Sequence, residues 1–585
     1  MGVRKRDFKF IRKHCAGVAK RLFDDFERKR KSVLLDVARE FYPLGVAGLA
    51  KGVEELADEC PYDEDHRILN TTPVTCLREG ATGFHANLTT PNKRWFRLEV
   101  PSFAKDPADS ADVERSEMLD NLTDAVEKTL RYAHVYPQLY KLYEHLLCFG
   151  FACMLVTRDR ERVVRARTLR IGTYAMECGA DGLVCRVVRR FSWTAEQILS
   201  EFGDYGVPQQ IRDAAKKYDT KRRWTVYNLI EPNATGDLKA YDRVARALRL
   251  SDDMTYRSMY WLECGKDDDP QSGVLDISGF SAKPIIAPRL DRELGDTYGR
   301  GRGMDGLDAA RGLQSFQYDI LKISGRKAEP PLVAASEFKD EGLKLWRGAV
   351  NYARFGESRE ALVMPALAQE PSSVEIRHDR QDAEAELKRL FFNDAFATID
   401  ALKNSTGVRT ATEIDALVRE NMEKLNPVLT NLDYELLDPL VSVVTRYALQ
   451  AGVIAISEED VASLAGVNIE YVSQIHLAAK RSQMGAVDLW MEFIGRAARL
   501  DPTATDKFDA AGAVDAYAQM LGVQAKCRAT DEAVEEKRAA RIQAAEEQRQ
   551  METMRSAAEM AKVAGAPVDA DHLGGRLIKQ LETEG

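Results

Sequence analysis

The sequence predicts an α+β fold that is predominantly helical. A helical periodicity opens the chain over residues 8–41, short β-like runs dominate residues 151–290, and long helical periodicities return after Pro284 and continue to Lys562. At 585 residues the chain is several times longer than a typical domain of about 100–150 residues. We therefore expect at least two or three hydrophobic cores.

The N-terminal part is expected to be largely helical. Apolar side chains recur at steps of three or four residues from Phe8 to Phe26, with Arg and Lys on the other faces. Pro43 and Gly45 should break this pattern. The next elements are expected as a helix at 74–88, a strand at 95–100, helices at 109–132 and 136–148, and a strand at 151–159.

The β-rich segment that follows carries three tryptophans, Trp193, Trp224 and Trp261, in or beside its short runs. Such residues are expected to anchor the core of a sheet. One helix interrupts the runs near 194–202, with Ser192 or Thr194 available as its N-cap. We interpret residues 43–290 as an α+β domain.

Two long helices are expected next, at about 304–324 and 379–402. The first has an apolar stripe from Leu307 to Ile323, and the second carries apolar residues from Leu387 to Leu402. At 1.5 Å per residue, the first would be about 30 Å long. The segment between them has four prolines and no long periodicity, so we expect it to be irregular.

Further helices complete the chain. Thr410 and Glu413 form a capping box that opens a helix, Pro427 should kink it, Pro439 should open another turn, and Gly452 should end the helical run. Trp490, Phe493 and Ile494 are available for a small core. Residues 530–562 predict a helix whose apolar stripe is thin, so it should pack on copies of itself or be partly disordered.

Composition excludes several function classes. The formal charge of −9 disfavours a protein that coats nucleic acid through a basic surface, but not one that surrounds DNA without gripping it. The nine cysteines are scattered, and neither they nor the eight histidines show metal-ligand spacing, so we expect buried or free thiols, no metal and no cofactor. The N-terminus lacks a signal peptide and no apolar run could span a membrane, which predicts a protein that is cytosolic when made.

A glycine-rich stretch provides the one motif that suggests an enzyme. Gly301, Gly303 and Gly306 match the G-x-G-x-x-G fingerprint of dinucleotide sites. That fingerprint needs a strand that ends at the first glycine, whereas the nearest strand candidate ends at Leu290 and a polar, loop-like segment follows. Because no catalytic constellation accompanies the glycines, we expect no enzyme.

Two blocks of sequence resemble the head-to-tail connector, or portal protein, of short-tailed bacteriophages. The first is GRGRGMDGLDAARGLQ with the exit through Pro330, Pro331 and Leu332 and the GAVNY at 348–352. The second is RTATEIDALVRENMEKLNPVLTNLDYELLDPLV. The resemblance runs from about residue 69 to 452 and is strongest over 295–452.

The resemblance implies a portal-type fold with a wing, a two-helix stem, a clip and a C-terminal helical crown. Its parts would be an N-terminal helix and α+β wing at 1–303, a first stem helix at 304–326, a clip at 327–376, a second stem helix at 377–402, a tunnel loop at 403–409, a long kinked wing helix with following helices at 410–480, a helical crown at 481–562 and a flexible tail at 563–585. Gly299, Gly301 and Gly303 would then form a hinge that turns the chain into the first stem helix. Asp305 would cap that helix or favour its N-terminal dipole.

The resemblance also implies a structural role and its partners. Portal subunits form a homo-oligomeric ring, usually a dodecamer, at one capsid vertex, after assembly in the host cytoplasm. Double-stranded viral DNA passes through the ring during packaging and ejection, and the packaging ATPase (terminase large subunit), tail adaptor proteins, and major capsid and scaffold proteins bind it. No membrane is involved.

Five basic residues are candidates to contact DNA in such a channel: Lys403 and Arg409 in the tunnel loop, and Lys322, Arg326 and Lys327 on the first stem helix. For each of them, an ion pair at the surface or between subunits is an equally good interpretation. Two other functions remain open at this point. The chain could be a soluble nucleotide-dependent enzyme that uses the loop from Gly301 to Gly306, or an internal scaffold or ejection protein.

Overall fold

The structure is a computed structural model in which the chain forms two compact units. The first takes in Met1–Arg97, Leu122–Ser463 and Ile469–Phe493, and the second Leu98–Asn121, Leu464–Asn468 and Ile494–Gly585. The residues that the structure describes are 5–55, 68–99, 110–204, 206–233, 250–251, 254–263, 273–293, 295–328, 332–334, 363–365, 373–397, 424–453, 468–473, 475–476, 490–497, 499, 512–514 and 531–563.

The first unit opens with helices α1 (Lys5–Lys29), α2 (Lys31–Phe41) and α3 (Pro43–Lys51). The predicted amphipathic pattern is confirmed, because Ile11, Cys15 and Phe26 of α1 are almost fully buried. The predicted break at Pro43 is confirmed, because α2 ends at Phe41 and the Tyr42 backbone is not helical, although a new helix starts directly at this proline. Pro43 lies at the first turn of α3, where its missing N–H would have no helical partner anyway.

The following helices are α4 (Thr72–Leu88), α5 (Ser110–Tyr132) and α6 (Val135–Phe149), with strand β2 (Phe96–Glu99) after α4 and a two-residue strand β1 (Glu54–Glu55) before it. The predicted elements among them lie within a few residues of their expected positions. The last two residues of β2 and the first half of α5 belong to the second unit. Helices α4 and α6 pack together, with the rings of Phe84 and Tyr143 stacked at a centroid distance of 6.0 Å.

A six-stranded sheet forms the β-rich part of this unit. Its strands are β5 (Tyr174–Cys178), β6 (Val184–Thr194), β7 (Arg223–Pro232), β8 (Tyr256–Leu262) and β9 (Val274–Phe280), with β1 on the far side of β6. The pairs are antiparallel except for β1 with β6, and Trp193 lies opposite Trp224. Trp224 and Trp261 are buried and Trp193 is partly buried against the core, so the predicted tryptophan anchors are confirmed.

Two helices cover one part of that sheet. Helix α7 (Ala195–Phe202) begins at Thr194, whose hydroxyl accepts from the Gln197 N–H while the Gln197 side chain accepts from the Thr194 N–H. Thr194, and not Ser192, is therefore the N-cap. Helix α8 (Gln209–Lys216) was not expected from the sequence, and its Ile211 packs with Ile198 and Trp224.

A smaller sheet lies beside the C-terminal end of α6. It consists of β3 (Met154–Asp159), β4 (Val163–Thr168) and β10 (Ile285–Ile286), with β3 in the middle and both pairs antiparallel. The next elements are a short helix α9 (Arg302–Asp305), a long helix α10 (Leu307–Ala328), strands β11 (Leu332–Ala334) and β12 (Val363–Pro365), and helix α11 (Ser373–Leu390).

The second long helix ends earlier than the sequence predicts. Phe392 adopts a left-handed backbone conformation with φ of 63°, and a short helix at 393–397 follows. The break allows both Phe391 and Phe396 to be buried, where they lie against Gly80 and Gly83 of α4. A continuous helix over 379–402 is therefore wrong, since tertiary burial overrides the helical pattern. Residues 398–402 lie outside the described part of the chain.

A helix at 424–432 continues into a π-helical turn at Asp433–Leu437 and then into α12 (Asp438–Gln450). Pro439 does not open a separate turn, because the wider π turn precedes it and the proline lies in the first turn of α12. Gly452 follows the end of the helix with φ of 68°, as expected. The predicted capping box at Thr410 lies outside the described residues.

The remaining described elements are strand β13 (Asn468–Tyr471) and a short helix at 490–497, each with residues in both units. A short helix at 512–514 and helix α13 (Asp531–Val563) belong to the second unit. Helix α13 confirms the predicted helix at 530–562. The expected small core does not include Trp490 and Phe493, which stack on each other but are 48% and 58% exposed. Only Ile494 of that group is buried.

Candidate functional site

Helices α10 and α11 form a long antiparallel pair, which we call the helical hairpin (residues 307–390). The two helices pack along each other, and strands β11 and β12 pair beyond their ends, with Leu332 opposite Pro365. These strands bring the exit of α10 and the approach to α11 together. The described parts of the hairpin are 307–328, 332–334, 363–365 and 373–390.

The apolar stripe predicted for the first long helix is confirmed. Ala310 and Leu313 are fully buried, as is Leu387 of α11, whereas Ile320 and Ile323 each retain 9% of their exposure. Burial therefore decreases from the base of the hairpin towards its strands. The outer surface of α10 is not covered by this subunit, since Tyr318 and Leu321 are about half exposed.

The glycines before α10 allow backbone to pack directly on backbone. A Cβ on Gly301 would lie 2.3 Å from the Gly150 nitrogen, and one on Gly303 would lie 2.5 Å from the Cys148 carbonyl oxygen. A Cβ on Gly299 would lie 2.4 Å from the Gly150 oxygen. We call residues 299–305 the glycine joint, and it rests on the C-terminal end of α6.

This packing also explains why the G-x-G-x-x-G match does not describe a phosphate site. In a nucleotide site the glycines leave open space for a pyrophosphate at a helix N-terminus. Here the space beside Gly301 and Gly303 is filled by the backbone at 148–150, and α9 has only four residues. The alternative of a nucleotide-dependent enzyme is therefore not favoured.

Asp305 is the last residue of the short helix α9, just before α10, and its expected role as a cap or dipole partner of the first stem helix stays a prediction. Gly301 is the N-cap of α9, and no side chain caps it. The Asp305 carboxylate accepts from Arg300 Nε at 2.6 Å and from Arg302 Nη1 at 3.4 Å. Arg302 also lies 3.1 Å from Asp291 and has its guanidinium over the Phe392 ring, so Asp305 helps to fix the joint between two parts of the fold.

A buried ion pair fastens the segment before the glycine joint. Arg289 donates from Nη2 to Glu435 Oε1 at 2.6 Å, and both side chains are almost fully buried. Arg292 lies 3.1 Å from the same oxygen. Burial opposes the charge of Arg289, but its hydrogen bonds and its charge interaction with Glu435 outweigh burial and raise the pKa of the guanidinium.

Sequence reasoning missed this pair. Glu435 lies in the π turn, which places its carboxylate towards residues 146 positions earlier in the chain. The sequence offers only a weak signal, namely an acidic residue directly before Leu436 and Leu437 in a segment that is predicted to be helical. A charged residue in such a place needs a buried partner, but nothing in the sequence indicates which one.

The basic candidates on α10 are exposed. Lys322 lies with its Nζ 4.1 Å from the centroid of the Tyr318 ring, and Arg326 and Lys327 follow in the last turn. Lys403 and Arg409 lie outside the described residues. A DNA contact by any of these five residues therefore stays a prediction.

Metal and membrane sites find no support in the part of the chain that the structure describes. That part holds no group of three or more His, Cys, Asp or Glu side chains placed to bind a metal ion, and no helix with the length and hydrophobicity that a membrane crossing would need. Six described cysteines are free, and four of them are buried, including Cys148. Burial raises the pKa of the Cys148 thiol well above its usual value.

A family model described as bacteriophage head to tail connecting protein matches residues 46–528. The chain belongs to this family. The match spans most of the chain, including the glycine joint, the helical hairpin and the segment that carries Glu435. The resemblance found in the sequence is thereby confirmed, and the chain is a structural head-to-tail connecting protein.

Two curated relatives of this connecting protein are similar over most of their length. It is 28% identical over 469 residues to a probable portal protein of Bordetella phage BPP-1, which covers 78% of this chain and 79% of that protein. It is also 28% identical over 488 residues to a portal protein of Salmonella phage epsilon15, with 82% and 84% covered.

Among solved structures, a chain from the virion of the native gene transfer agent particle matches with 13% identity and covers 71% of this chain and 88% of that one. The TM-score is 0.30. A score this low is no basis for a shared fold.

Proposed function

We propose that copies of this chain form the portal ring at one vertex of a bacteriophage capsid, through which double-stranded DNA is packaged and ejected. The observation that carries the proposal is the family match over residues 46–528, together with two relatives that are portal proteins over about four fifths of both lengths. The localisation is then the virion, with assembly in the host cytoplasm.

The parts of the portal can be assigned to the elements of the fold. The six-stranded sheet and the helices around it would be the wing, α10 and α11 the stem, the region that contains β11 and β12 the clip, and α13 part of the crown. The helical hairpin supports this assignment. Its two long antiparallel helices are connected through the paired strands β11 and β12, and each helix has an outer face that a neighbouring subunit could contact.

The partners follow from this role. The packaging ATPase, the large terminase subunit, would dock on the clip while DNA enters, and tail adaptor proteins would replace it on the same surface. Major capsid and scaffold proteins would surround the wing. A ring with these partners needs no catalytic residue and no cofactor in the portal subunit itself.

Native mass measurement of the purified full-length protein tests whether a ring forms. We expect one closed oligomer whose mass is a whole multiple of the 65.5 kDa subunit, usually a dodecamer in portals. Subunits in a ring contact each other head to tail, and the ring closes at a fixed number of subunits. One stoichiometry should therefore dominate over a series of smaller oligomers. A monomer or an open-ended series at micromolar concentration would contradict the proposal.

The tunnel loop at 403–409 is proposed as a gate that meets DNA in the channel. Deletion of these residues should leave the ring intact but lower the yield of DNA-filled heads, because the gate would no longer retain the duplex. Packaged DNA per head is the measurement, and normal filling by the deletion variant would rule the gate out.

A second variant separates the length of the loop from its charge. Lys403→Ala combined with Arg409→Ala keeps the loop but removes two cations that would contact phosphates. If these cations contact phosphates, the fraction of DNA retained in the heads should depend less on salt concentration in this variant, because each lost contact reduces counterion release. An unchanged salt dependence would leave the loop as a steric gate only.

A further inference from the structure

One exposed stripe of α10 consists entirely of hydrogen-bond donors. Arg311, Ser315, Tyr318 and Lys322 are spaced by four, three and four residues, and all four are exposed. This spacing places them on one face of the helix, away from the buried face that holds Leu313 and Ile320. We call these four residues the donor stripe. Arg311 is 50% exposed although its guanidinium lies 2.9 Å from Asp36.

One exposed stripe of α11 consists entirely of carboxylates. Glu375, Asp379, Asp382 and Glu386 are spaced by four, three and four residues, and all are exposed. We call them the acidic stripe. It lies away from the buried Leu387, which faces the base of α10.

The acidic stripe is unfavourable in an isolated subunit. Like charges three or four residues apart on a helix repel each other, and a solvated helix face usually alternates its signs to avoid this. Within the described residues, one ion pair involves this stripe. His378 lies 3.2 Å from Asp382, and the contact is charged only when the histidine is protonated. The stripe therefore calls for donors from outside the helix.

The two stripes are in register along the hairpin. Arg380 of α11 donates to Gln317 of α10 at 3.3 Å, which fixes the relative level of the two antiparallel helices. Five residues further along α10 is Lys322, and five residues back along α11 is Glu375. Because the helices are antiparallel, residues at equal distances from this hydrogen bond lie at the same height along the hairpin. Tyr318 is therefore at the height of Asp379, Ser315 at that of Asp382, and Arg311 at that of Glu386.

Within one subunit these levels cannot meet, because the stripes lie on the outer faces of two helices whose inner faces pack together. A second copy, rotated about an axis that runs roughly along the hairpin, keeps every residue at its level. Its acidic stripe can then face the donor stripe of the first copy. Each copy presents both stripes, so the contact repeats from copy to copy and can close into a ring.

We infer that the donor stripe of α10 binds the acidic stripe of α11 in the neighbouring copy, with Lys322 opposite Glu375 and Tyr318 opposite Asp379. This inference rests on the proposed ring and names the surface by which its stem closes. It assigns Lys322 to a contact between subunits, whereas Arg326 and Lys327 lie beyond the stripe, towards the strands. Lys322 bound to DNA phosphates is the competing outcome that the test must separate.

Charge reversal with rescue tests the pairing. Lys322→Glu and Glu375→Lys should each lower the urea or salt concentration at which the ring dissociates, since each places like charges opposite one another. The double variant restores opposite charges and should recover most of the wild-type midpoint. Arg377→Glu is the control matched to Lys322→Glu, because it makes the same change of two negative charges at an exposed position of the hairpin outside both stripes.

The outcomes separate the inference from its alternatives. Failure of the double variant to recover the ring, or no effect of Glu375→Lys alone, would overturn the pairing. If Lys322 contacts DNA instead, Lys322→Glu should reduce packaged DNA equally with and without Glu375→Lys, while ring dissociation stays unchanged. Absence of a ring from the wild-type protein would count against the proposed function itself.

A cross-link gives a second and direct readout. Cysteines placed together at Lys322 and Glu375 should link neighbouring copies through a short bis-maleimide and give a ladder of covalent oligomers in denaturing gels. Either cysteine alone, on the same background of native thiols, should give no ladder. Rings that form normally but do not cross-link would contradict the inference.

Discussion

Glu435 joins two parts of the first unit that are 146 residues apart in sequence. Its carboxylate accepts from the Arg289 backbone N–H at 2.9 Å as well as from the Arg289 guanidinium. Glu435 therefore holds both the side chain and the backbone of the segment before the glycine joint. Arg289 also donates to the carbonyls of Gly182 and Asp296. If the Glu435 carboxylate were removed, the buried Arg289 guanidinium would keep only neutral acceptors. It would also lie near a second positive charge, that of the more exposed Arg292.

Glu435→Gln should therefore destabilise the first unit strongly. Removal of one partner of a buried ion pair costs about 3–5 kcal/mol because the remaining charge stays buried without compensation. The measurement is the urea midpoint of unfolding, followed by tryptophan fluorescence. Asp25→Asn is the control, since Asp25 pairs with Lys29 on the exposed surface of α1 and its loss should change stability by no more than about 1 kcal/mol. Equal midpoints for the two variants would contradict the role of Glu435.

At the scale of elements, the glycine joint connects α6 to the start of the helical hairpin. Backbone conformation does not require a glycine at position 301, because its φ of −100° is one that other residues also adopt. The glycine is required because a side chain there would collide with the backbone of residues 148–150. A hinge at this place remains a proposal. In the folded subunit the joint is packed against residues 148–150 and is further held by the hydrogen bond from the Arg300 N–H to the Asp291 carbonyl at 2.8 Å.

Gly301→Ala tests the joint. Its methyl group would lie 2.3 Å from the Gly150 nitrogen, so the backbone must shift, and overpacking of this kind costs about 1–3 kcal/mol. We expect a lower urea midpoint and a lower yield of rings. Gly17→Ala is the control, because Gly17 lies in the interior of α1 with nothing within 4 Å of the added methyl, and it should gain up to about 1 kcal/mol. A Gly301→Ala protein as stable as wild type would show that the close approach is dispensable.

Elements with strong periodicity could be predicted from the sequence, whereas their interruptions could not. The helices at 5–29 and 531–563 follow from residue spacing and composition alone. The end of α11 at Leu390 does not, because the break depends on Gly80 and Gly83 of α4, which receive the backbone at Phe391 and the ring of Phe396. The local spacing of apolar residues favours a longer helix. The break is explained only by the distant glycines of α4, beside which Phe391 and Phe396 are buried.

The candidate site divides in the same way. Lys322 of α10 and the glycines of the joint could be selected from the sequence by residue type and by resemblance. The register between the donor and acidic stripes could not, because it depends on how α10 and α11 are paired, which the Arg380–Gln317 hydrogen bond fixes. The Arg289–Glu435 pair was missed for the same reason, since its partners are brought together only by the fold.

At the scale of the whole molecule, several surfaces suit an assembly better than a solitary subunit. Side chains of α13 from Lys537 to Ser556 are all exposed, and its packing on copies of itself remains a prediction. Tyr318 and Leu321 of α10 are about half exposed on the outer face of the hairpin. A heterologous interface that closes would cover such surfaces in every copy.

Electron microscopy of the purified full-length protein tests the central claim most directly. Portal function requires a closed ring with a central hole, so class averages should show end views of one rotational symmetry and a hole wide enough for duplex DNA. Side views should show a narrow stem between two wider parts. Isolated particles the size of one subunit, or closed assemblies without a central hole, would contradict the portal account.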